Sequence, residues 1–191
     1  MSKRLPQRLD SARTYMRLPH ADDAQELNAA IVESFAQISP WVPWAKQVPS
    51  VADSEAYCTE SIAKHAAGEA LNYLMFSRDT HEFIAGIGIP RLDWSVPMFE
   101  LGYWCRTSQT GKGYITEGVG VISRYCFAEL DAVRLELHID ELNEPSVRVA
   151  QACGYELESI ARHSSRNNAG ELCSMKIFRC LDRAELLSRP S

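Results

Sequence analysis

The chain of 191 residues is 46% apolar and 24% charged, with a formal net charge of −5 and a pI near 5.6. That is enough apolar chain for one globular domain with a full core, expected to occupy 1–191 with its core at about 12–182. The acidic balance argues against nucleic acid as a partner, which would favour a basic face.

The N-terminus is a local exception, with Lys3, Arg4, Arg8, Arg13 and Arg17 set against Asp10. Residues 1–11 read as a basic arm, either a solvated tail or a contact for an acidic protein substrate. Thr14 to Leu18 reads as a short strand ending at Pro19. Asp22 with Gln25 forms a capping-box start for a helix whose apolar face is Leu27, Ile31, Phe35 and Ile38, and Pro40 ends it. The proline-stiffened stretch from Ser39 to Ala45 then places Trp41 and Trp44 where neither joins a regular amphipathic face. They form either a satellite cluster beneath a loop or an aromatic wall.

Ser50 with Asp53 starts a second helix, carried by Tyr57, Ile62 and Ala66 and closed by Gly68. Leu71 to Ser77 and Glu82 to Leu92 read as a hairpin around Arg78 to His81. After a turn over Asp93 to Pro97, Met98 to Arg106 is one strand, and the helix that follows runs to about Leu130. In the strand Arg134 to Ile139, Leu135, Leu137 and Ile139 point one way and Glu136, His138 and Asp140 the other. Asn143 caps a short helix started by Pro145 and stopped by Gly154. Tyr155 to His163 and Glu171 to Leu181 form a closing hairpin, and 183–191 is a polar tail.

No apolar stretch follows the basic N-terminus, and the weakly charged run Leu27 to Ala45 is broken by Pro40 and Pro43, so no secretory or membrane segment is read and a cytoplasmic protein is expected. The six cysteines contain no CxxC pair and read as reduced thiols, with no metal site.

The most informative stretch joins the strand at Met98 to Arg106 to its helix through Thr107-Ser108-Gln109-Thr110-Gly111-Lys112-Gly113. A strand, a glycine loop and a helix N-terminus together let main-chain N–H groups converge on an anion such as a phosphate. A nucleotide P-loop fails on spacing, because Arg106 stands where its first glycine belongs and Gly113 follows Lys112. The dinucleotide fingerprint fails at Thr116, where a third glycine or alanine is required.

The loop resembles the acetyl-CoA loop of the GNAT N-acetyltransferases, Gln/Arg-x-x-Gly-x-Gly/Ala, with Ser108 at the first position as a departure. The run from Glu100 to Trp104 with Gly111 to Gly118 is similar to the RimJ/RimL branch. Asn143-x-x-Ser146 followed by Cys153-Gly154-Tyr155 resembles the family's fourth-helix ending, and the element order matches over nearly the whole chain. The resemblance implies an α/β (α+β) GNAT fold, with a mostly antiparallel sheet of about seven strands flanked by about four helices.

The resemblance also implies direct transfer of an acetyl group from acetyl-CoA to a primary amine, without a metal. Backbone groups of Trp104, Cys105 and Arg106 would hold the pantetheine and polarise the thioester, at about 3 kcal/mol per donor. The loop and helix start (Gln109, Thr110, Gly111, Lys112, Gly113, Tyr114, Ile115 and Thr116), with Asn143 and Ser146, would complete the donor site. His138 and Glu100 are the candidate bases, each with a structural ion pair as its competing reading. Ser146 is the candidate acid, because Ala150 stands where many members have a tyrosine. Trp41 and Trp44 would border the acceptor. The leading acceptor is a protein N-terminal α-amine of the ribosomal-protein type. Polyamines, aminoglycosides or amino acids are the alternative, with Glu33, Glu60 and Glu100 as groove carboxylates, and a non-catalytic acyl-CoA-binding module is a third reading. A homodimer is a family expectation.

Overall fold

In the computed structural model, residues 5–182 and 184 are described. Five strands form an antiparallel sheet: β1 (Arg8–Asp10), β2 (Thr14–Arg17), β3 (Leu71–Ser77), β4 (Phe83–Ile89) and β6 (Gly102–Cys105), paired in that order. Four more form a second sheet in the order β5 (Met98–Glu100), β7 (Arg134–Asp140), β9 (Leu172–Cys180) and β8 (Glu156–Arg166). Only β5 and β7 are parallel in that sheet. The helices are α1 (Ala24–Ile38), α2 (Val51–Ala67), α3 (Tyr114–Glu129) and α4 (Glu144–Ala152).

Local chemistry explains these boundaries. Ser50 Oγ accepts the Asp53 N–H at 3.2 Å, the Asp53 carboxylate accepts the Ser50 N–H at 2.8 Å, and Gly68 closes α2 at φ 73°. The α1 start is displaced by one residue from the expected Asp22. Asp23 instead takes the His20 N–H at 2.6 Å and an Arg17 ion pair at 2.7 Å, and a 3₁₀ turn (Ala21–Asp23) leads into the helix. β4 stops at Ile89 because Pro90 has no N–H to continue the ladder.

Two expectations are corrected. The core begins before residue 12: Leu5 is buried and Arg8–Asp10 pair with β2, so the last part of the supposed arm is an edge strand. Arg8 there ion-pairs with Asp10 at 2.7 Å, while Lys3 and Arg4, like nearly all of the polar tail, lie outside the described residues. The single strand Met98–Arg106 is two strands in different sheets. The Leu101 N–H donates to Glu136 O at 2.9 Å, and the next residue, Gly102, pairs with Gly88 of β4. Among the described residues these two changes turn about seven strands into nine and one sheet into two.

The larger core lies between both sheets and α3 and α4, and includes Met75, Ile87, Phe99, Val119, Ile122, Leu137 and Phe178. A second core, with Leu27, Ile31, Cys58, Leu74 and Phe83, seats α1 and α2 on the other face of the first sheet. No described helix is long and apolar enough to cross a membrane.

Candidate active site

The chain's change of sheet at Leu101 opens a gap. β5 and β7 run in register as far as Glu100 and Glu136, after which β6 follows β4 and β7 follows β9. The walls above this fork are Gly102–Cys105 and the second half of β7. The glycine loop closes the β6 side, and the start of α4 follows β7.

On the β6 wall, the Arg106 N–H donates to Ile84 O at 2.8 Å. Bonded pairs alternate along an antiparallel ladder, so Gly86–Trp104 is also a bonded pair, and Tyr103 and Cys105 turn their amides toward the gap. Trp104 and Arg106 spend their amides on β4, so of the three residues expected to offer backbone groups Cys105 turns its amide to the gap. The Trp104 indole lies over Gly86, where a Cβ would fall 2.4 Å from Nε1. Burial pushes the Cys105 thiol up to about 11, and Cys126 and Cys153 to about 12, so none is a ready thiolate. No three His, Cys, Asp or Glu side chains among the described residues are grouped to hold a metal ion.

The loop itself is a 3₁₀ turn (Thr107–Gln109), then Gly111 at φ 75° and Gly113 at φ 79°, then α3. The Gln109 and Thr110 amides already donate to Arg106 O and Thr107 O, so Thr110, the first of the amides expected to meet the anion, is already bonded. The first α3 bond joins Glu117 N–H to Gly113 O at 3.1 Å, so the Tyr114, Ile115 and Thr116 amides have no helical acceptor, and no side chain caps them. A Cβ at Gly111 would meet nothing within 4 Å, so the crown of the loop is open. This fits a pyrophosphate held by main-chain N–H groups of residues 111–116. Lys112 Nζ is held by Gln109 Oε1 at 2.8 Å.

Three side chains support the loop in roles the sequence did not signal. Glu33 of α1 takes the Ser108 N–H at 3.0 Å and Arg106 Nε at 2.7 Å, and Ser108 foremost, with Arg106, holds its carboxyl below the ordinary value. Glu117 of α3 accepts the Ser11 hydroxyl at 2.5 Å and both the amide and Nε of Arg13 at 2.8 Å. Burial alone would raise the Glu117 carboxyl, but those bonds outweigh it and hold it below 4.5. Arg13 Nη1 also reaches Lys112 O at 3.0 Å. Glu33, expected in an acceptor groove, is therefore committed to the loop, and Glu60 pairs with Lys64 at 2.6 Å.

On the other wall, β7 alternates as expected. Leu135, Leu137 and Ile139 enter the larger core, leaving Glu136, His138 and Asp140 on the opposite face, the side on which α1 and α2 cover the first sheet. The structure brings the two candidate bases together: His138 Nδ1 lies 3.7 Å from Glu100 Oε2, and Nε2 lies 2.7 Å from Glu136 Oε2. Glu136 is held in turn by Arg134 at 2.5 Å, and Arg134 also bonds Glu158. Asp140, two residues further along the same face, lines a cleft of about 240 Å³ with Trp41, Glu141, His163, Glu171 and Cys173. Trp44 turns instead to Trp104, edge-on at 6.1 Å. The tryptophan loop is fastened to the β8–β9 turn by Asn168, whose Nδ2 contacts the Ser39, Val42 and Ala45 carbonyls at 2.7, 3.0 and 3.1 Å.

At the α4 start, Asn143 Oδ1 accepts the Ser146 N–H at 3.2 Å, and the Tyr103 hydroxyl reaches Ser146 O at 3.4 Å, so the first turn of α4 adjoins β6.

The sequence matches the acetyltransferase (GNAT) domain family over residues 13–156. The chain belongs to the GNAT acetyltransferase family. It thus contains an acetyltransferase (GNAT) domain. It is 26% identical over 116 residues to an uncharacterized N-acetyltransferase, p20, of Bacillus licheniformis, which covers 61% of this chain and 65% of that relative, just under two thirds of its length. Among solved structures, it resembles a ribosomal-protein-serine acetyltransferase from Vibrio cholerae, described as putative, at 26% identity and a TM-score of 0.76, over 91% of this chain and 97% of that one. It also has the fold of Mycobacterium smegmatis RimJ in complex with a CoA disulfide, at 20% identity and a TM-score of 0.87, over 99% and 93% of the two chains.

Proposed function

We propose that this protein transfers the acetyl group of acetyl-CoA to the N-terminal α-amine of a protein, of the ribosomal-protein type. The observation that carries this reading is the placement of His138 and Glu100 together at the fork between β6 and β7, on the face that leads past Asp140 to the Trp41 cleft. The solved ribosomal-protein acetyltransferases of the same fold support the choice of acceptor. In this scheme the amides of residues 111–116 hold the donor's pyrophosphate and the Cys105 N–H polarises the thioester carbonyl. His138 takes a proton from the acceptor ammonium through water, because only the free amine has a lone pair to attack. The Ser146 hydroxyl supplies the proton that neutralises the leaving thiolate. Much of the rate comes from holding amine and thioester together. A cytoplasmic location and a homodimer accompany the reading as family expectations.

A small cationic amine is the second reading, favoured by the carboxylates of Asp140, Glu141 and Glu171 around the Trp41 cleft. The experiment that separates them is CoA thiol release with peptides bearing free Ser, Ala or Met N-termini, set against polyamines and aminoglycosides. Release with peptides that stops when their α-amine is blocked is the expected result. Release with small amines alone contradicts it, and tight CoA binding with no release from any amine points to a non-catalytic module.

A further inference from the structure

His138 is held from two sides by carboxylates, and the two contacts differ in kind. Nε2 lies 2.7 Å from Glu136, a full hydrogen bond, whereas Nδ1 lies 3.7 Å from Glu100, beyond hydrogen-bond reach. A carboxylate accepts but does not donate, so the proton of a neutral imidazole must sit on the nitrogen that bonds it. The Glu136 side chain is only 13% exposed, and its ion pair with Arg134 at 2.5 Å fixes it from the far side. On the β9 side, the register partner of His138 is Ile177, which offers no competing hydrogen bond.

We propose that Glu136 is a positioning residue for acetyl transfer: it fixes His138 in the tautomer with its proton on Nε2 and leaves the basic lone pair on Nδ1, facing Glu100. The inference rests on the reading of His138 as the base. The acceptor ammonium, attracted by Glu100, gives its proton to Nδ1 directly or through one water. The freed amine lone pair forms the new C–N bond as the C–S bond of the thioester breaks, and the second proton that the nitrogen then sheds is relayed through the Ser146 hydroxyl to the departing thiolate. The imidazolium formed is held between two carboxylates and then returns its proton to solvent. With the opposite tautomer, the proton would sit on Nδ1 and the basic nitrogen would face Glu136, away from Glu100.

The test is long-range proton–nitrogen NMR of the intact protein at a pH where the imidazole is neutral, with the His138 signals assigned by their loss in His138→Ala. The wild type is expected to show the Nε2–H tautomer, and the isosteric Glu136→Gln a mixture of the two, because an amide can donate as well as accept. Glu136→Gln is also expected to lower kcat roughly 10- to 100-fold, part of what a general base supplies, with KM for acetyl-CoA within about twofold. An Nδ1–H tautomer in the wild type overturns the proposal without any variant. So does an unchanged tautomer or an unchanged kcat in Glu136→Gln. Full activity in His138→Ala overturns the base reading beneath it, whereas loss in His138→Ala with none in Glu136→Gln overturns the positioning role alone.

Discussion

The two ends of the gap between β6 and β7 are built from different materials. At the proposed donor end, main-chain amides of residues 111–116 face outward from an uncapped helix start, and side chains such as Glu33 and Glu117 pin that loop. At the proposed acceptor end, the candidate working groups are side chains, His138 between Glu100 and Glu136, with Asp140 and Trp41 beyond them. A main-chain site demands glycine at set positions and tolerates change in its other side chains. A side-chain site demands particular residues from several strands and leaves its backbone ordinary. Substitutions should therefore separate donor binding from turnover.

The largest effect is expected from His138→Ala, which should lower kcat by about 100-fold or more while leaving CoA affinity unchanged. Steady-state rates beside calorimetric CoA titration check this, and a parallel loss of CoA affinity would merge the two ends. Gly111→Val strikes the other end. A β-branched residue at φ 75° costs at least about 1–2 kcal/mol, so CoA binding should weaken by roughly tenfold, with little change in kcat at saturating acetyl-CoA.

Asn168→Ala releases the tryptophan loop from the β8–β9 turn. Loss of bonds worth about 1 kcal/mol should raise KM for the acceptor by around fivefold and leave KM for acetyl-CoA alone. A smaller effect concerns stability. The Glu117 carboxyl titrates below its ordinary 4.5 when folded, so its contribution is present at neutral pH and fades as the pH falls from about 4.5 through that lower value. Chemical denaturation from pH 6 down to about 3 should show Glu117→Gln less stable than wild type by about 1 kcal/mol at the upper end, with the gap closing toward the lower. Lys112→Ala should change CoA affinity by no more than about twofold, since that ammonium is held by Gln109 in an exposed pair.

The same contrast explains what could be read from the chain. Gly111, Gly113 and Gly154 are backbone requirements and Asn143 is a cap, so the glycine loop, the α4 start and the family were all legible. The alternation of Glu136, His138 and Asp140 was also readable, because a strand has a period of two. The division of Met98–Arg106 was not. Phe99, Leu101, Tyr103 and Trp104 make one β-prone run, and the switch of partner at Leu101 depends on which strands lie on either side, a long-range fact. Which N–H groups of Trp104, Cys105 and Arg106 face the gap follows from register with β4, and so was hidden for the same reason. Glu33, read as a groove carboxylate, is separated from Ser108 by 75 residues and Asn168 from Ser39 by 129, so their fastening roles depended on the fold bringing their partners to them.

The most direct measurement of the central claim is residue-resolved amide hydrogen exchange with and without CoA. Slowed exchange at Cys105 and across residues 111–116, with Trp104, Arg106 and Thr110 unchanged because their amides are already bonded, is the predicted result. Slowing centred on Trp104 and Arg106, or none in the glycine loop, would contradict a donor site built from the free main-chain amides of that gap.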